Sequence, residues 1–230
     1  MSEKSKWIVV SVFAIAMAWV ESAVVVYLRT LIDRIEPHQA NPLPIFGGLA
    51  NIELGREAAT LVMLVSIGWL AGTTWRGRLA YAAIAFGVWD IFYYLFLVPM
   101  SGWPRSLFDW DILFLLPLPW WGPVIAPVLI SILMIIGGTL IVAFDSPSAP
   151  LLPRQFALAL ASLGTSLALY VFMADALRVA NNGVEAIRTT LPTRFDWQLF
   201  GVALALMATP IVDLGLQIRS RQQPPKNLVR

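Results

Sequence analysis

Six long apolar stretches run through this 230-residue chain, at about residues 7–32, 57–73, 79–100, 124–144, 156–174 and 199–218. About 20 apolar residues cross a bilayer core, and a helix is the element that satisfies all of its backbone groups there. The stretches predict an all-α fold: an integral membrane bundle of six transmembrane helices over residues 1–218, then a polar cytoplasmic tail at 219–230. Charged residues make up 13% of the chain, against roughly 25% in soluble domains, which is too few to cover a water-facing surface. Lys4 and Lys6 precede the first stretch in the manner of a secretory leader. The apolar run continues past Ala16-Met17-Ala18 through Leu31, which predicts a retained first helix.

Two of the stretches carry an acid near the middle, Glu21 in WIVVSVFAIAMAWVESAVVVYL and Asp90 in LAYAAIAFGVWDIFYYLFLVPM. A carboxylate in hydrocarbon is costly unless it is neutralised or paired, so intramembrane acids mark functional positions. Trp7 and Trp75 mark the same edge of the first and third helices. Glu21 lies 14 residues after one and Asp90 15 after the other, which places both roughly 21 to 23 Å deep. Neither has a Lys or Arg within two turns on its own helix, and Arg29 follows Glu21 by eight residues. The expectation is a shared buried acidic site in which at least one acid is protonated at neutral pH, with Tyr94 and Trp89 as local partners. Such a site suits a proton relay or a cation. The plain alternative is that each protonated acid fastens one helix to another.

Between the third and fourth stretches, SGWPRSLFDWDILFLLPLPWW mixes four Trp with three Pro. It is too broken to cross, and it predicts an amphipathic, Trp-rich interfacial segment whose tryptophans form a belt or line a mouth for a lipid or apolar ligand. Arg29, Arg56, Glu57, Asp109, Asp111 and Asp175, with Arg178, fall at helix ends or in outer segments and form a candidate outer polar cluster, with Glu57 opening the second helix. Asp109 and Asp111 point together only if the segment is extended. Two acids are an incomplete calcium site, and surface ion pairs with helix caps are the plain alternative. Asp213 is a secondary candidate near the cytoplasmic edge, within reach of the tail arginines, with Pro210 expected to kink its helix. Small residues four apart (Gly68 and Gly72, Ala83 and Gly87, Ala157 and Ala161, Gly201 and Ala205) predict close helix packing.

Basic residues divide nine to seven in favour of the side holding Lys4, Lys6, Arg76, Arg78, Arg154, Arg219, Arg221, Lys226 and Arg230. That bias predicts a multi-pass protein of the cell (inner) membrane with both termini cytoplasmic. The chain has no cysteine, and His38 is its one histidine. Disulfides, thiolate metal sites, cysteine nucleophiles, paired-histidine haem ligation and His-rich zinc sites are thereby excluded. No metal and no cofactor is expected. A net charge of +2 does not point to nucleic acid. No Gly-x-Ser-x-Gly occurs, and the Tyr-Asp and Gly-x-Gly-Asp settings of an intramembrane aspartyl protease are missing. Three functions stay open: a small transport or proton-linked membrane protein, a non-catalytic subunit or assembly factor docked to other membrane subunits, and an interfacial lipid-processing enzyme using the outer acids.

Overall fold

The computed structural model describes residues 1–33, 36–38, 47–114, 118–183, 186–187 and 190–222, with backbone alone at 47–51. It is mostly helical. The helices are α1 (Glu3–Leu31), α2 (Gly47–Ala71), α3 (Trp75–Ser101), α4 (Ile125–Phe144), α5 (Gln155–Val179), α6 (Trp197–Met207) and α7 (Thr209–Gln222). Taking α6 and α7 as one broken rod, six helices are long and apolar enough to cross a membrane. Arg34, Arg188, Lys226, Arg230 and the tail beyond Gln222 lie outside the described residues.

Helix ends follow capping chemistry that hydropathy does not register. The Ser2 side chain accepts from the Ser5 N–H and starts α1 four residues before the apolar run. Thr74 caps α3 through the Gly77 N–H at 3.0 Å, and Gly102 ends it in the left-handed region at φ 73°. The second helix begins at Gly47. Glu57 therefore lies well inside α2 rather than at its opening, because helix-forming Leu49, Ala50, Glu53 and Leu54 extend the helix past its most apolar part. Between α6 and α7 the rod breaks at Ala208. Pro210 has no N–H to offer the Leu206 carbonyl, and the Thr209 hydroxyl donates to that carbonyl instead, at 2.7 Å.

The Trp-rich segment departs from the all-α expectation. Trp110–Phe114 (β1) and Trp120–Pro123 (β2) pair antiparallel, with Asp111 opposite Gly122 and a bulge between Ile112 and Phe114. Prolines exclude helix here, and the aromatic and β-branched residues between them favour extended chain. Two further backbone bonds, Val124 N–H to Asp109 and Ile125 N–H to Leu107, tie the hairpin to the start of α4. Trp103 and Trp121 are buried, so these two rings belong to the protein interior rather than to a lipid-facing belt.

Helix α3 is the hub, packed on α1, α2 and α4; α5 packs on α6, and α7 lies between α4 and α5. Glycine makes the α3–α4 approach possible. A Cβ on Gly87 would lie 2.6 Å from the Ser131 carbonyl oxygen, and one on Gly138 2.6 Å from that of Ala80. Gly201, in contrast, has nothing within 4 Å of a notional Cβ, so Gly201 and Ala205 do not mark a contact.

Candidate functional site

Helices α1 and α3 run side by side from the same end of the bundle. The Ser22 hydroxyl donates to the Tyr93 carbonyl at 2.9 Å, tying the Glu21 stretch of α1 to the Asp90 stretch of α3. Arg56 of α2 donates to Glu21, and Thr60, one turn further on, donates to its second oxygen at 2.7 Å. Arg56 also reaches Glu53 at 2.9 Å. The absence of a basic neighbour on α1 itself led to the expectation that Glu21 is unpaired, and the structure corrects this. The spacing 53, 56, 60 is a helical stripe, so one face of α2 supplies the partners.

Asp90 is served by the close α3–α4 approach. With no side chain at Gly87, Ser131 comes near enough to donate to Asp90 at 2.8 Å. Both groups are buried. No Lys or Arg forms a salt bridge with Asp90 among the described residues. Tyr94, expected as its partner, turns instead to Asp111 of the hairpin, which also accepts from Arg29 at 2.9 Å. The Arg29 guanidinium lies 4.5 Å from the centre of the Trp103 ring, a cation–π contact that holds it in place. Burial pushes the Asp111 carboxyl above the ordinary range, while Arg29, the Ile112 N–H and the Tyr94 hydroxyl pull it back.

These groups surround one cavity of about 160 Å³. Glu21, Arg56, Glu57, Asp90, Tyr94 and Asp111 all reach its wall, so the two membrane acids share one space with three members of the outer cluster. Its remaining walls are aromatic and aliphatic, notably Trp89, Trp120 and Phe172. The indole N–H groups of Trp89 and Trp120 are buried and donate to no group. Thr60, Ser131 and Tyr93 are wall residues that sequence reasoning missed, whereas Trp120 belongs to the tryptophan set expected to form a belt or line a mouth. The one available signal was a hydroxyl in an uncharged, otherwise greasy helix, as at Ser131, which shares α4 with Thr139 alone.

Other candidates lie elsewhere. Asp109 accepts from the N–H groups of Arg105 and Ser106 at 2.7 and 3.2 Å, closing a turn outside the cavity, so it does not converge with Asp111. Asp175 accepts from Arg178 and Thr193 near the end of α5. Asp213 caps the opposite end of the bundle, accepting from the Arg154 N–H at 2.8 Å and Gln217 at 2.9 Å, so its basic neighbour comes from the head of α5 and not from the tail. Among the described residues no cluster of three His, Asp or Glu side chains stands close enough to hold a metal ion.

No protein-family model matches this chain, no curated protein matches its sequence, and no solved structure matches its fold. The site's own chemistry is what carries a functional reading.

Proposed function

We propose that this is a multi-pass protein of the cell membrane, with both ends of its helical bundle's chain on the cytoplasmic side, acting in small-solute or proton-linked transport through the acidic cavity. Support for the membrane comes from the outer faces of the helices, where residues such as Val12, Leu31, Val62 and Leu70 are largely exposed. Lys4, Lys6, Arg76, Arg78, Arg154, Arg219 and Arg221 gather at the end away from the hairpin, the pattern of a cytoplasmic face.

One observation carries the transport reading: Glu21 and Asp90, from different helices, border the same buried cavity. Their situations differ. Glu21 is locked in a compensated pair with Arg56, which organises α1 against α2. Asp90 has a hydroxyl partner and no cation, so it is the group free to exchange charge with a solute or a proton.

Reconstitution of the purified chain in proteoliposomes with a trapped pH-sensitive dye tests the reading. Imposed potential should drive a proton signal in the wild type, and Asp90→Asn should abolish it. Glu21→Gln should lower it by disturbing the pair. A silent wild type, or a signal untouched in Asp90→Asn, overturns the proton-linked form of the proposal, and a wild type that also fails to take up any small solute overturns the whole.

A further inference from the structure

Among the acids that line the cavity, Asp90 forms no salt bridge with any described residue. Of the guanidiniums nearby, Arg56 is held by Glu21 and Glu53, and Arg29 by Asp111. Asp90 is left facing the cavity with only the Ser131 hydroxyl on it. A buried carboxylate at such a place calls for a positive charge, and no side chain among the described residues brings one. The walls suit a cation with an organic body better than a bare ion. Trp89, which packs on Phe86 and Tyr93, and Trp120, parallel to Phe172, present aromatic surface to the cavity. Aromatic faces attract ammonium groups and accept apolar matter, whereas metal cations ask for several oxygen ligands.

A second, independent feature concerns hydrogen bonding. Trp89 is 8% exposed, and its buried N–H has no acceptor among the described residues; the Trp120 N–H is likewise buried without one. Buried donors of this kind are rare, and two on the walls of one cavity call for an oxygen acceptor. Size agrees: an apolar cavity of about 150 Å³ holds a benzene ring, and this one measures about 160 Å³.

We propose that the cavity binds a small organic ammonium ion that also carries an oxygen acceptor, an aryl or alkyl amino alcohol in chemical class. Asp90 is its counter-ion, Ser131 holds the carboxylate in register, and the two indoles receive the hydroxyl. This inference rests on the transport reading and names the solute class for the same site.

The test uses the full chain in detergent micelles and isothermal titration with four probes at constant pH. These are 2-amino-1-phenylethanol, its neutral counterpart 1-phenylethane-1,2-diol, its anionic counterpart mandelate, and 2-phenylethylamine, which lacks the hydroxyl. The amino alcohol should bind at least tenfold more tightly than the diol and the diol more tightly than mandelate. Removal of the hydroxyl in 2-phenylethylamine should weaken binding about threefold. In Asp90→Asn the tenfold preference should vanish while diol binding stays within twofold. If the diol or mandelate matches the amino alcohol, or none of the four binds, the inference is overturned; the wild-type series decides this even if the variant does not fold. Equal binding of 2-phenylethylamine overturns the acceptor. A proton signal that persists and depends on Asp90 while charge-selective binding fails removes the solute class and keeps the proton-linked reading. Charge-selective binding without any proton signal does the reverse.

Discussion

The two ends of the bundle solve the problem of polar groups in opposite ways. On the hairpin side, Glu21, Asp90 and Asp111 are all buried, each with a hydroxyl or guanidinium partner, around a space that stays open. Toward the other end, Val10, Ala14, Ala18, Leu64, Ile84 and Ala85 fill the interior. Apart from the buried Ser11 hydroxyl, charged and hydrogen-bonded groups there stand toward the rim, where Tyr81 donates to Glu3 at 2.8 Å, Trp7 to Thr139 at 3.1 Å, and Arg76 to Asp145 at 2.8 Å. A buried ion pair adds little stability over well-packed apolar residues of the same volume. The hairpin side thus retains groups that stability alone does not require, and the packed side supplies the rigidity that lets it do so. A transport route through the packed side requires those helices to part.

If that contrast is right, breaking a pair on the hairpin side is the most damaging change. Arg56→Ala leaves Glu21 buried without its cation and should cost about 3 kcal/mol or more. The midpoint of denaturation in mixed micelles reads this directly. Adding Glu21→Gln should recover a large part of the loss, and a single-variant loss under about 1 kcal/mol would remove the distinction between the two ends. Next in size is the packed α3–α4 seam. Gly87→Ala drives a methyl against the Ser131 carbonyl and should cost about 1–3 kcal/mol. It should also weaken the Asp90–Ser131 contact, and with it the Asp90-dependent proton signal. Gly201→Ala, facing open space, serves as the control and should be neutral or slightly stabilising.

The same contrast explains what could be read from the chain. Apolar runs reveal that a helix exists, so six long helices were legible, with ends off by a few residues wherever a cap such as Ser2 decided the boundary. That two acids on different helices could reach one space was also legible, because the rise per residue is fixed once each helix is anchored by a tryptophan. Their partners were not. Pairing across helices depends on how the rods are rotated, and a glycine at position 87 does not announce that Ser131 will face Asp90. Arg56 was assigned to the outer surface because the second helix was started ten residues late, and a short helix has no room to carry an arginine down to Glu21. The hairpin was missed for a different reason. Its hydrogen bonds link residues across a turn, and alternation in WDILF is too brief to outweigh the surrounding prolines and tryptophans.

A pH series sharpens the comparison at the packed end. Burial there works against ionising Asp145, but Arg76, the Leu151 N–H and Thr74 outweigh it and hold the carboxyl below its usual range. A depressed acid stabilises fully above its unfolded value, about 3.9, and loses that contribution as pH falls through the lower folded value. Between pH 7 and pH 3 the wild type should therefore lose up to about 1 kcal/mol more than Asp145→Asn, with the remainder lost below pH 3. Equal losses in both proteins would mean that the rim network does not tie the start of α3 to the end of α4.

The smallest effect separates contact from consequence. Arg105 and Glu36 meet at 2.6 Å, closer than the buried Arg29–Asp111 pair at 2.9 Å, yet the arginine side chain is 76% exposed and the glutamate 42%. Water already solvates both charges, so removing one partner strands nothing. Arg105→Ala should change the denaturation midpoint by less than about 0.5 kcal/mol, and added salt should erase even that. Arg29→Ala removes a cation at a similar distance from Asp111, which is 1% exposed, and should cost several times more. Similar losses for the two variants would show that depth, and not partnership, has been misjudged on the hairpin side, and the buried character of the acidic cavity would fall with it.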